Sequence, residues 1–233
     1  GKNGMAAIAF NLNEAAQENN FYFDDMSWEL YYVEPKSPWT NWVKNSDCEG
    51  DDVTCLVGKD GDRSGKLETN IIDGIGYENS RGIKVHAIAN PENSWDTQFF
   101  VYTPDHIWNT GDKYRFRMKI RADVPCNIDA QAHRTPGSYI HWKMFQDGNT
   151  FNVTTEWQEF EREGTISNDQ TGSTGGMWGD DPSPSELQTI AFNLNNLTGQ
   201  ANNFYIDDVY WESFEDEGGE VSPAGNSKES KDS

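Results

Sequence analysis

The chain has 233 residues, of which 35% are apolar, and sets 18 Lys and Arg against 39 Asp and Glu for a net charge of -21. That length suits one main domain, and the charge argues against phosphate backbones and anionic lipid surfaces as partners. No run combines about 18 residues, freedom from charge and the predominantly apolar character of a spanning helix, so neither nucleic acid binding nor membrane insertion is expected. An anionic polysaccharide would be repelled as well, whereas neutral sugars and cations such as calcium are compatible with the charge.

An aromatic share of 13% exceeds what a disordered chain carries. From the N-terminus, the first feature is a repeat: IAFNLNEAAQENNFYFDDMSWE, Ile8 to Glu29, recurs with one inserted residue as Ile190 to Glu212. The offset is the length of a whole module. Residues 1–33 therefore read as the closing strands of a preceding module, 34–37 as a linker and 38–213 as one complete module. Residues 214–233, rich in Gly, Ser, Pro and charge, read as a linker or disordered tail.

Within the module an acid-rich loop comes first, Asp47-Cys48-Glu49-Gly50-Asp51-Asp52. In an oxidising compartment Cys48 and nearby Cys55 are expected to pair, although three cysteines settle no compartment. Period-two alternation then predicts strands at Gly82–Ala89, Asp96–Thr103, Tyr114–Ala122, Cys126–His133, Tyr139–Phe145, Trp157–Ile166, Leu187–Asn195 and Phe204–Trp211. Many short strands separated by Gly, Pro, Asn and Asp predict an all-β sandwich or barrel.

On 126–133 the residues Cys126, Ile128, Ala130 and Ala132 face one way, and Asn127, Asp129, Gln131 and His133 the other. An amide-rich sheet face with a few flat rings suits a sugar chain, because rings stack on pyranose C–H faces while amides bond hydroxyls. Trp95, Tyr139 and Trp142 are the candidate rings, whereas Trp157 and Trp211 read as core. Asp207 and Asp208, adjacent in a strand, should point to opposite faces and so make a poor facing pair for hydrolysis. They read as a solvated or locally bonded pair, or as calcium ligands with help from the 47–52 loop, Asp51 included. Nucleophile and nucleotide motifs are absent, and His86, His106, His133 and His141 have no metal-triad spacing.

Asn93-Ser-Trp95-Asp-Thr-Gln98, the strand Tyr114–Ala122, Thr155-Glu-Trp-Gln158, Ile190-Ala-Phe-Asn193 and Phe204-Tyr-Ile-Asp-Asp-Val209 together resemble family 4 carbohydrate-binding modules and their family 9 and 22 relatives. The resemblance implies a jelly-roll β-sandwich with no catalytic activity. It further implies a concave groove for a single β-glycan chain, xylan first with β-glucan as the other choice, and a structural calcium elsewhere. Secretion from a bacterium, an attached xylanase or glucanase and a tandem module are implied too. Carried over by position, Trp95 and Gln98 match groove residues, as do Gln131, His133, Tyr139 and His141. Glu49 and Asp207 match the calcium acids, with Cys48 standing where the family has Phe. Two alternatives remain open: a jelly-roll hydrolase or lyase using the same groove, and a spacer or adhesion module that has lost it.

Overall fold

The computed structural model describes residues 10, 20–26, 37–61, 64–141, 143–145, 147–166, 186–195 and 199–215. The chain divides into two compact units, Gly1–Lys36 and Ser37–Ser233. Among its described residues the second holds twelve strands: β1 (Trp39–Asn41), β2 (Leu56–Lys59), β3 (Asn70–Ile72), β4 (Gly82–Ala87), β5 (Gln98–Tyr102), β6 (Lys113–Ala122), β7 (Cys126–His133), β8 (Tyr139–His141), β9 (Thr150–Val153), β10 (Gln158–Thr165), β11 (Thr189–Asn193) and β12 (Asn202–Phe214). They form two antiparallel sheets, one ordered β10-β6-β12-β4-β3 with β1 on β12, the other β2-β5-β11-β7-β8 with β9 on β7. The all-β sandwich expected from the alternation is the fold.

The alternation sets which faces meet. Tyr114, Phe116, Met118, Ile120 and Ala122 of β6 are buried, as are Ile128, Ala130 and Ala132 of β7, so the two apolar faces close on one core. β12 runs through the middle of the first sheet and contributes Phe204, Ile206, Val209 and Trp211 to that core. Trp211 stacks on Trp108 with ring centroids 4.5 Å apart. Trp157 is not core: it is only part-buried, with the Arg121 guanidinium 5.5 Å from its ring, because it falls in the outward phase of exposed Glu159 and Glu161 just before the strand that begins at Gln158.

Cys48 and Cys55 are buried free thiols and form no disulfide. Their surroundings differ. Burial, with the charge of Asp207 added, pushes the Cys48 thiol pKa up, and Cys55 Sγ lies 3.9 Å from the Trp42 carbonyl.

Of the first unit, residues 10 and 20–26 are described and none of them is in a strand; most of the expected strand pair lies outside the described residues. One local likeness is visible. Asp25, the repeat partner of Asp208, has φ 49° against 48° for Asp208. Each of the two amides donates to the preceding aspartate, at 2.9 Å and 2.7 Å respectively.

Candidate glycan-binding cleft and acidic cleft

The outer face of the second sheet carries polar side chains in register. Lys59 of β2 pairs with Gln98 of β5, Gln98 with Asn193 of β11, and Asn193 with Asp129 of β7. Two residues along, Phe100, Ala191 and Gln131 form the next row, and Tyr102, Thr189, His133 and Tyr139 the third. A cleft of about 740 Å³ lies over this face, lined by Lys59, Leu67, Trp95, Gln98, Gln131, His133 and Tyr139 among others. Five of the predicted sugar-contacting residues thus converge on one cavity.

Its walls are held by turn chemistry. Asp96 Oδ2 accepts the amides of Glu92 (2.7 Å) and Asn93 (3.1 Å), which closes the loop that presents Trp95 with 50% of its surface exposed. Opposite, Thr135-Pro136-Gly137-Ser138 makes a tight turn, with Ser138 N donating to Thr135 O at 2.8 Å and Gly137 at φ 84°; Pro then Gly suits a type II turn. Tyr139 follows, 53% exposed. A third wall needs Gly58. The loop bearing Leu67 crosses so closely that a Cβ at 58 would lie 2.5 Å from the Glu68 carbonyl oxygen.

The floor is neutral and bonded. Gln98, buried, donates from Nε2 to Asn193 Oδ1 at 2.9 Å. His133 Nε2 lies 3.3 Å from Gln131 Oε1, while Nδ1 is buried with no partner among the described residues. Burial, with the Lys59 charge added, holds the His133 pKa down to about 4, since protonation would leave a buried N–H unpaired. The ring stands edge-to-face with Phe100 (5.7 Å) and with Tyr139 (5.8 Å). His133 thereby buttresses the exposed tyrosine.

His141 does not join them. Its partner is Ala132 while that of Tyr139 is His133, a bulge that turns His141 off the open face into burial. There its Nδ1 accepts the Lys143 amide at 3.2 Å. Trp142 lies outside the described residues. Lys59 and Leu67 line the cleft although no motif pointed to them. Lys59 shows a faint signal: it follows Val57 on the outward phase of a short strand.

The acids expected to hold calcium lie in a second cleft, of about 470 Å³, lined by Asp47, Glu49, Tyr77, Glu78, Asn79, Ser80, Lys119, Asp207 and Asp208. The two adjacent aspartates share it because the ladder between β12 and β6 slips after Asp207 and Asp208 takes a positive φ. The opposite-face expectation thus fails at a bulge. Asp207 is buried and accepts from the Tyr77 amide and Ser80 Oγ, each at 2.8 Å, and from the Asp208 amide. Asp208 meets Lys119 Nζ at 2.7 Å. Asp51 stands apart, its side chain 93% exposed and paired with Arg81 at 2.9 Å. The carboxylates suit a hard cation, whereas the Lys119 ammonium in the same cleft opposes one and already neutralises Asp208. Among the described residues, however, no three His, Cys, Asp or Glu side chains close a metal cage.

No family model matches the sequence, and no curated protein matches it. Solved structures similar to the chain include a family 4 carbohydrate-binding module, 15% identical, with a TM-score of 0.46 over 69% of this chain and 96% of that one. Another is the N-terminal cellulose-binding domain of Cellulomonas fimi β-1,4-glucanase C, at 14% and 0.44 over 78% and 97%. A third is a family 22 xylan-binding domain from Paenibacillus barcinonensis, at 7% and 0.47 over 73% and 92%. Likeness at this level carries no argument about ligand, which the cleft itself must supply.

Proposed function

We propose that the module binds a single β-linked glycan chain, xylan before β-glucan, in the cleft between Trp95 and Tyr139, and does not cleave it. The observation that carries this reading is the pair of half-exposed rings on opposite walls of an amide-floored cleft. Rings of that kind stack on pyranose faces, and Gln98 and Gln131 offer amides to hydroxyls. Cleavage by the usual route needs two carboxylates across the bond, and the described residues lining this cleft include none. In this reading residues 1–33 close a neighbouring module of the same kind. An attached hydrolase is brought to its polysaccharide outside a bacterial cell, and calcium joins the 47–52 loop to Asp207 and Asp208 once their acids draw closer together than the structure holds them. Affinity electrophoresis against soluble xylan, mixed-linkage β-glucan and an α-glucan tests the binding. Retardation by xylan without release of reducing ends is the expected result. Unretarded migration in every β-glycan gel would refute it, and release of reducing ends would turn the reading to a hydrolase.

A further inference from the structure

The chain carries far more acid than base, yet the described lining of the glycan cleft contains one ammonium, Lys59, and no carboxylate. Other cations meet acids directly: Lys44 with Asp105 at 2.6 Å, Lys119 with Asp208 at 2.7 Å and Arg115 with Glu212 at 2.7 Å. Lys59 instead donates to the Trp95 carbonyl at 2.8 Å. An ammonium has three donors, and the other two have no partner among the described residues. Asp96 is the acid that acts on Lys59 through space, but its Oδ2 is engaged by two backbone amides. Burial pulls the Lys59 pKa down, so this is a cation partly stripped of water without an acid to replace that water.

We propose that Lys59 is a specificity-determining residue that selects glycan chains bearing a carboxylate, as on a uronic acid, over the same chains without one. The proposal rests on the reading of the cleft as a glycan site. A pyranose lying on Trp95 carries its exocyclic groups at the ring's rim, within the domain of an ammonium anchored on that residue's own carbonyl. A charge-assisted bond there is stronger than a hydroxyl contact. The net charge of -21 does repel polyanions at a distance. That repulsion fades beyond about 8 Å at physiological salt, and a sparsely carboxylated glycan presents few charges to it.

The test compares glucuronoxylan with the same polymer after its carboxyl groups have been reduced to alcohols, by titration calorimetry on the full chain. Wild type is expected to prefer the acidic polymer by about tenfold or more, a preference that shrinks as NaCl rises from about 0.02 to 0.5 M. Lys59→Met should abolish the preference, bringing the two polymers to equal affinity chiefly by weakening the acidic one, while Lys59→Arg should retain it; circular dichroism confirms the fold of each. Equal wild-type affinity for the two polymers overturns the inference and leaves glycan binding standing. Equal weakening on both polymers in Lys59→Met overturns it too, since Lys59 would then only position Trp95. Binding to neither polymer fails the glycan reading itself.

Discussion

Trp95 and Tyr139 leave about half of their surface in water, while the Asp96 turn holds the first and the buried His133 ring backs the second. A ring so placed adds little to folding and is available to a ligand. Binding of micromolar Kd corresponds to about -8 kcal/mol, so a stacked ring acting as a hot spot supplies roughly 2 kcal/mol or more of it. Trp95→Ala should therefore weaken xylohexaose binding well over tenfold in calorimetry and leave the melting midpoint in place; unaltered affinity in the folded variant would place the glycan elsewhere. Gln98 behaves differently, because its removal strands Asn193 Oδ1 in a buried spot. Gln98→Ala should cost about 1–3 kcal/mol of stability in urea unfolding as well as affinity, and a purely affinity effect would show that the floor bond is dispensable. For His133 the sign follows from a folded pKa of about 4 against 6.5 when free. Between those values the unfolded chain takes up the proton first. Stability is therefore complete above about pH 6.5 and declines as pH falls towards 4, by about 3 kcal/mol in all. His133→Gln should flatten that slope in urea titrations from pH 4 to 7.5, and an unchanged slope would assign the loss to other groups.

The elements around the cleft depend on a few backbone positions. Gly137 holds φ 84° in the turn that delivers Tyr139. Gly137→Ala has open space for its methyl but an unfavourable backbone, at a cost of about 1 kcal/mol. It should lower both stability and affinity modestly; an unshifted midpoint in thermal melts would show that the turn adapts. Gly58→Ala meets the Glu68 backbone rather than a movable side chain, so it should displace the Leu67 wall and weaken binding without touching Trp95. These positions also mark what could be read in advance. β4, β5, β6, β7, β10, β11 and β12 were legible because each is a strand-like run of five residues or more bounded by turn residues. β1 and β3 are three residues long, too short for a period to show, β8 stops at His141 where a strand to Phe145 was expected, and β9 arose from sequence with no predicted strand. Trp95, Gln98, Gln131, His133 and Tyr139 were legible since alternation places them on one face. His141 was misplaced because a bulge resets that alternation, and the same device at Asp207–Asp208 united two acids that strict alternation separates. Lys59 gave only the faint signal of an outward strand position, for its meaning comes from which charges surround it.

At the scale of the whole molecule, the acidic cleft joins parts far apart in sequence: the 47–52 loop, the turn at Tyr77–Asn79 and the middle of β12. β12 is the central strand of its sheet, paired with β6 and β4 and capped by β1. A cation bound among Asp47, Glu49, Glu78 and Asp207 would tie the loop and the turn to that strand and offset like charges that otherwise repel. Binding to the native state alone adds RT ln(1 + [L]/Kd), about 2.7 kcal/mol at a hundredfold excess over Kd, or roughly 5–10 °C in Tm for a domain of this size. Sodium at equal ionic strength is the necessary comparison, because any salt relieves repulsion in a chain of net charge -21. The expected outcome is a higher midpoint in millimolar calcium than in chelator plus sodium, with the difference lost in Glu49→Gln. Asp207→Ala is a poorer probe, since it also deletes the bonds from Tyr77 and Ser80 and so lowers the midpoint even without metal. Coincident melting curves in calcium and chelator would leave the clustered acids stabilised by Lys119 and backbone amides alone.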